Sequence, residues 1–542
     1  MTRTTTTPRT RPWAPRRGAA SKERRPREGA AGFVASPFIA ALLALASIGP
    51  RAFAEVRLPH IFSSRMVLQR DMPLPVWGWA DPGEEVAVTL GDETQRTRAD
   101  AAGTWRVTLS PREAGGPHSL RVKGTNEISL DEVLVGEVWL CSGQSNMEMG
   151  ITLVEGGSQA AAGANDSKIR LLMVPNRPSG QPLSDIDSSW TACSPESISK
   201  GGWGGFPAVA YFFARELRRE LDVPVGLIDA TWGGTLIEPW TPRAGFDGVA
   251  SLHSIRDDVD RAQGEYERSL LATLPAIEAW TLAARTALAG GDSIPPAPDF
   301  PRHSLASERR PTGLYNGMIH ALAPFAIRGV LWYQGESNVM AGDGAAYLDK
   351  MRALIEGWRG VWNANEMPFY FVQLAPFRYP RTDPTRLAEV WDSQRRALEI
   401  PNTGMVVTTD VTNLDDIHPG DKKSVGERLS RWALAKTYAR PGIACSGPLF
   451  ESMSIEDGAV RVRFGHAAGL ASRDGAPLSW FEIAGADGRF VKAEARIDGE
   501  SVVVSSAQVP QPTTVRFGWG QEAAPNLVNG AGLPASPFRA PR

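Results

Sequence analysis

Ser145 stands in Gly136-Glu-Val-Trp-Leu-Cys-Ser-Gly-Gln-Ser-Asn-Met-Glu-Met149, where an apolar run gives way to small, hydrogen-bonding residues. Val135, Val138, Trp139, Leu140 and Cys141 read as a strand covered on both faces. Ser142 to Asn146 then read as a tight turn at its C-terminal edge, where open α/β sheets bind ligands. A serine there can present its hydroxyl to a substrate beside the backbone N–H groups of the turn. Ser145 is therefore the candidate nucleophile, against the simpler reading of a polar linker turn.

A serine nucleophile needs a base. Of seven histidines, His60, His118 and His466 fall in β-rich regions, and His253 and His303 in an apparent insertion. His320 lies within an amphipathic segment, where a structural role is the simpler reading. His418 lies in the loop Asn413-Leu-Asp-Asp-Ile-His-Pro419, with Asp415 and Asp416 just before it. A carboxylate beside a histidine fixes its tautomer and stabilises the imidazolium formed when it takes the serine proton. The alternative for the two aspartates is capping or turn formation. Asp415, three residues before His418, turns back towards the ring more easily than Asp416, but both stay open.

Two further turns share the composition of the first: Trp232-Gly-Gly-Thr235 and Gln334-Gly-Glu-Ser-Asn338. Each couples a glycine, which permits close backbone approach or positive φ, with polar groups after a strand-like run. Three such turns on neighbouring strands would rim one pocket. Gln144 and Asn146 are expected to organise the first of them. Met147 in place of glycine separates the turn from the G-x-S-x-G elbow. No H-E-x-x-H, P-loop or G-x-G-x-x-G after a strand occurs.

The elements that must hold these groups follow from periodicity. Residues 55–130 carry short alternating runs cut by Asp-Pro-Gly and Gly-Gly-Pro turns, as in a small β-sandwich. Residues 131–440 alternate strand-like runs (133–141, 169–174, 223–229, 327–333, 369–375, 404–409) with helix-like ones (206–221, 313–325, 344–361, 384–398, 421–438). That alternation predicts an α/β fold with a doubly wound parallel sheet. Residues 243–311, helical over 251–289 and then Pro-rich, read as an insertion, and 441–542 as a C-terminal β-domain.

The 542 residues suggest two to four domains, and 42% hydrophobic with 22% charged residues is a globular composition. A net charge of −2 gives no field favouring nucleic acid or an anionic membrane. The three cysteines, Cys141, Cys193 and Cys445, contain no C-x-x-C pair, which argues against a disulfide framework or zinc cage. Cys141 reads as a small core hydrophobe. Residues 1–54 read as a signal peptide: a long basic n-region, an apolar run over 32–48, and Ala52-Phe53-Ala54 before Glu55. The expectation is export to the periplasm or exterior, with no stable membrane association after cleavage.

Gly-Gln-Ser-Asn-Met at 143–147, Trp-Gly-Gly-Thr at 232–235, Trp-Tyr-Gln-Gly-Glu-Ser-Asn at 332–338 and Asp-Ile-His-Pro at 416–419 occur in that order. The combination resembles the sialate O-acetylesterase family of the SGNH/GDSL hydrolases, related to bacterial acetyl-xylan esterases. Met66-Val-Leu-Gln69 and Gly532-Leu-Pro-Ala-Ser-Pro-Phe538 extend the resemblance over most of the chain beyond residue 54. It implies an SGNH flavodoxin-like core, Ser145 as nucleophile and His418 as base. It also implies an oxyanion hole from the backbone N–H groups of Ser145 and Gly234 plus a side chain of the third turn, Gln334 or Asn338. Glu336 either orients its neighbours or supports the base. The implied activity is hydrolysis of O-acetyl groups from an acetylated carbohydrate, without cofactor or metal. Sialate is the first substrate class, and acetyl-xylan or another plant polysaccharide the alternative. The reading from another class is a non-catalytic glycan-binding protein.

Overall fold

The computed structural model describes residues 55–541. The signal-peptide expectation for residues 1–54, with its Ala52-Phe53-Ala54 site, lies outside the described residues.

The chain enters through short strands: β1 (Val67–Gln69), β2 (Leu74–Trp79), β3 (Glu85–Leu90), β4 (Glu93–Arg98), β5 (Thr104–Leu109) and β6 (Gly115–Lys123). Along β2, β3 and β5 buried and more exposed residues alternate, the mark of strands with one covered face. β7 (Glu127–Gly143) then runs for 17 residues. Its first half pairs antiparallel with β6, and Leu134 to Gly136 pair parallel with β1. Its second half is the spine of the α/β region. The expected boundary between residues 130 and 131 therefore falls inside a strand, and the two regions share one sheet.

The strands that follow are β8 (Asp166–Met173), β9 (Thr191–Cys193), β10 (Val225–Thr231), β11 (Gly329–Tyr333), β12 (Phe369–Val372) and β13 (Thr403–Val406). The sheet order is β13-β12-β11-β7-β10-β8-β9. All neighbours pair parallel except β9, which runs antiparallel on β8. β7, β10, β11, β12 and β13, counted in chain order, lie 2-1-3-4-5, with β8 and β9 added beyond β10. β10, β11 and β12 are buried at every position, which explains the apolar sequences of β11 and β12 and the apolar first half of β10.

The main helices are α1 (Ser145–Glu148), α2 (Ala208–Leu221), α3 (His253–Gly290), α4 (Glu336–Ala341), α5 (Tyr347–Trp362), α6 (Arg386–Arg396) and α7 (Lys422–Trp432). Trp139 and Trp332 are fully buried on β7 and β11. The register pairs Trp139 with Gly329 and Trp332 with Ser142, so the two indoles leave opposite faces of the sheet. Trp139 meets Phe213 of α2 at 5.1 Å between centroids, and Trp332 meets Trp358 of α5 at 5.9 Å. Helices thus cover both faces, as a doubly wound sheet requires.

The segment expected to be helical over 313–325 is helical over 313–322, as a π-helix, Tyr315–Ile319, continued by a 3-10 turn, His320–Leu322. Within the insertion, α3 buries little beyond Val259, Ala262 and Ala284, and exposes Leu271, Leu282 and Leu288. In the C-terminal region, Leu449–Glu456, Ala459–Gly465, Ser501–Ser505 and Glu494–Asp498 build one four-stranded sheet. Val491–Lys492, Phe481–Ala484, Thr514–Phe517 and Phe538–Ala540 build a second. Val462, Val502, Phe481 and Phe517 share a core separate from the main one. Cys141, Cys193 and Cys445 are buried and unpaired. Among the described residues no helix is long and apolar enough to cross a membrane.

Candidate active site

The 2-1-3-4-5 order reverses direction at β7, and crevices form where strand order reverses. Gly143, the last residue of β7, pairs with Thr231 on one side and Tyr333 on the other. Its φ is +138°, and a Cβ there would sit 2.1 Å from the Tyr333 carbonyl oxygen, so only glycine lets the chain turn out of the sheet here. The three Gly-polar turns leave β7, β10 and β11 side by side, and the His418 loop follows β13 at the same edge.

Ser145 opens α1, half-buried, with its Oγ 2.8 Å from His418 Nε2. For the serine hydroxyl to donate into Nε2, the ring proton must sit on Nδ1. Nδ1 faces Asp416 Oδ1 at 3.6 Å. That is an electrostatic contact, longer than a hydrogen bond, and such contacts tighten as an imidazolium develops. Asp416 Oδ1 also accepts the backbone N–H of His418 at 2.9 Å, closing the turn that carries the ring. Asp415 points elsewhere: its Oδ1 accepts from Arg378 Nη1 at 2.7 Å, and its side chain is 82% exposed. The geometric preference for Asp415 is thereby corrected. In this turn position −2 folds under the ring, while position −3 is drawn to the guanidinium.

Burial pushes the His418 imidazole below its ordinary pKa, and the nearby Lys422 charge acts in the same direction. Asp416 opposes both. The ring is thus kept neutral, as a proton acceptor must be. The indole of Trp203 meets it edge-on, 4.9 Å between centroids at 71°. Trp203 sits in a glycine-rich loop, 39% exposed, so one side of the histidine is screened while the indole stays open to solvent.

Gly234 has a φ of +73° and open space where a Cβ would be. Among the described residues, neither its N–H nor that of Ser145 has a protein acceptor. The preceding amide is fixed: Gly233 N donates to Glu148 Oε2 at 2.6 Å, which holds the Gly-Gly turn against α1. Two free N–H groups beside a serine hydroxyl are what a developing oxyanion needs, one aimed donor contributing about 2.7–4 kcal/mol.

The third turn behaves differently from the expectation. Gln334 and Asn338 are fully buried. Gln334 Nε2 donates to Thr235 O at 3.0 Å, Asn338 Oδ1 at 2.6 Å and Gln144 Oε1 at 3.2 Å. Asn338 Nδ2 donates to Glu238 Oε2 at 3.2 Å and Asp343 Oδ2 at 2.5 Å. Neither amide retains an N–H for an oxyanion, so their expected role there is corrected: they stitch the turns together. Gln144 does the same, its Oε1 also accepting from Gly335 N at 3.2 Å and Ser337 N at 3.3 Å.

Glu336 is buried and faces Asn146, not His418: its Oε1 accepts from Asn146 Nδ2. Burial raises its pKa, and the Asn146 bond and the Lys422 charge partly offset this. Lys422 and Trp203 also belong to the site, with little in the sequence to mark them. Lys422 follows Asp421 at a helix start, where lysine is expected in solvent, yet it is fully buried. Trp203 carried one usable signal, a large aromatic residue between pairs of glycines.

Comparison with known proteins places this geometry in a family. The model of the carbohydrate esterase family of sialic acid-specific acetylesterases matches residues 303–435, which include Gln334, Glu336, Asn338, Asp416 and His418. The chain is similar to a sialate O-acetylesterase of Rattus norvegicus, 30% identical over 448 residues, covering 76% of this chain and 79% of that protein. A sialate O-acetylesterase of Homo sapiens is 29% identical over 432 residues, 74% of each chain. The crystal structure of a carbohydrate acetylesterase from Xanthomonas citri superposes with a TM-score of 0.76 at 36% identity, covering 90% of this chain and 99% of that one. With relatives matched over most of their length, the chain belongs to the sialic acid-specific acetylesterase family and is a carbohydrate esterase.

Proposed function

We propose that this esterase removes O-acetyl groups from an acetylated sugar by serine catalysis on an SGNH-type, flavodoxin-like core, with O-acetylated sialic acid as substrate. The Ser145 Oγ to His418 Nε2 contact of 2.8 Å carries the proposal. Ser145 Oγ attacks the acetyl carbonyl as His418 Nε2 takes its proton, and Asp416 stabilises the imidazolium. The amides of Ser145 and Gly234 receive the carbonyl oxygen as it gains charge. The tetrahedral intermediate collapses, the sugar oxygen leaves with the proton from His418, and an acetyl ester remains on Ser145. Water, deprotonated by His418, attacks that ester, and acetate departs as Ser145 regains its proton. The strand order 2-1-3-4-5 supports the flavodoxin-like description. The choice of sialate rests on the named activity of the mammalian relatives. The signal-peptide pattern of residues 1–54 supports export.

Ser145→Ala is expected to abolish hydrolysis of an aryl acetate while leaving the melting temperature unchanged. Retained activity would refute the serine assignment. Acetate release from 9-O-acetylated sialic acid, set against release from acetylated xylan, then decides the substrate. Faster release from xylan would move the protein to plant-polysaccharide deacetylation.

A further inference from the structure

Behind the Ser145–His418 pair lies a chain of buried polar groups that the acyl-transfer steps do not use. Asn146, 1% exposed, follows the nucleophile in sequence. Its Nδ2 donates to the carbonyl of Ile417, the residue before the base, at 2.9 Å. One side-chain amide therefore joins two backbone positions that are adjacent to the reacting pair but far apart in the chain. The other contacts of that amide are with charged groups: Nδ2 also donates to Glu336 Oε1, and Oδ1 accepts from Lys422 Nζ. Lys422 is fully buried, and Glu336 is 2% exposed.

The chemistry of these partners leaves the amide one orientation. The Ile417 carbonyl can only accept, so it must face Nδ2, and a charged Lys422, which can only donate, and a charged Glu336, which can only accept, call for the same orientation. An amide flip would set a donor against a donor and an acceptor against an acceptor among side chains that are all buried. We propose that Lys422 and Glu336 are positioning residues, which lock the Asn146 amide in the orientation that ties Ser145 to the His418 loop. This rests on the serine reading above.

Lys422 has a second effect on the same pair. The charged and titratable groups facing it are Glu336, Asp416 and Asp421, with His418 close by and the Tyr333 ring 5.4 Å below. Burial lowers its pKa to about 7, with the three carboxylates opposing. Its charge opposes a second positive charge on the ring. Removing it raises the His418 pKa, so the acid limb of activity moves to higher pH.

The test compares Lys422→Met, Glu336→Leu, Glu336→Gln and Ser145→Ala in the full chain, with an aryl acetate as substrate. Lys422→Met is expected to lose about tenfold or more in kcat with KM little changed, the size of effect small misplacements of reacting groups produce. Its acid limb should shift to higher pH. Glu336→Leu should lose kcat similarly. Glu336→Gln should stay within about threefold, because its amide oxygen still accepts from Asn146. Folded Lys422→Met with unchanged kcat and an unshifted acid limb overturns the inference. If Lys422→Met does not fold, equal kcat in Glu336→Leu and Glu336→Gln overturns it. Activity in Ser145→Ala would instead overturn the serine reading, so the two failures are distinguishable.

Discussion

Replacing Asp416 by Asn separates its charge from its role in the turn. The asparagine oxygen can still accept the His418 backbone N–H, which Asp416 Oδ1 does at 2.9 Å. The charge facing Nδ1 at 3.6 Å is lost. At that distance the attraction between a carboxylate and the imidazolium of the transition state is about 1.2 kcal/mol in water and about 4.6 kcal/mol at an effective dielectric of 20. Asp416 is 57% exposed, so solvent screening holds the effect near the lower figure, about 1–2 kcal/mol. That converts to a loss of roughly 5- to 30-fold in kcat. The sign of the pH effect is also determined. Asp416 raises the His418 pKa, so Asp416→Asn lowers it and moves the acid limb of kcat/KM to lower pH, opposite to Lys422→Met. Asp415→Asn is the control: its carboxylate is 82% exposed and bound to Arg378, and the change should stay within about twofold. Steady-state kinetics on an aryl acetate across pH measure all three variants. A larger loss in Asp415→Asn than in Asp416→Asn would refute the assignment of the acid.

The remaining predictions concern the base, the rim and the scaffold. In the unaltered protein the acid limb of kcat/KM should lie below the ordinary imidazole value of 6.5, because burial and Lys422 both disfavour the charged ring and the neutral ring is the active form. A limb above 6.5 would contradict this. Trp203→Ala removes an open indole face beside the base and should lower kcat/KM for acetylated sugars more than for an aryl acetate. Equal losses on the two substrates would deny it a role in sugar binding. Glu137, 0% exposed on β7, bonds Arg70 Nε at 2.5 Å and Arg328 Nε at 2.7 Å. Glu137→Ala leaves two guanidinium groups without their carboxylate and should cost about 3 kcal/mol, read as a lower denaturation midpoint.

What the sequence by itself determined was local. A buried strand followed by small polar residues could be read at Ser145 because both signals lie within a dozen positions, and burial on two faces leaves a nearly continuous apolar run. His418 could be singled out among seven histidines by the regions that held the others. The alternation of strands and helices carried the parallel sheet, since each element announces its own period. Only the tertiary structure decided which groups meet. Ser145 and His418 lie 273 positions apart and come together because β7 and the loop after β13 open on one edge of the sheet. The two aspartates differ by one position, and it is Arg378, reaching in from another loop, that draws Asp415 away. Gln334 and Asn338 read as oxyanion donors until the carbonyl of Thr235 and the carboxylates of Glu238 and Asp343 take their N–H groups. A lysine at a helix start, as Lys422 is, ordinarily stands in solvent. Packing against Tyr333 and Asn146 makes it a buried cation beneath the base, since burial is a property of the elements that close over a residue.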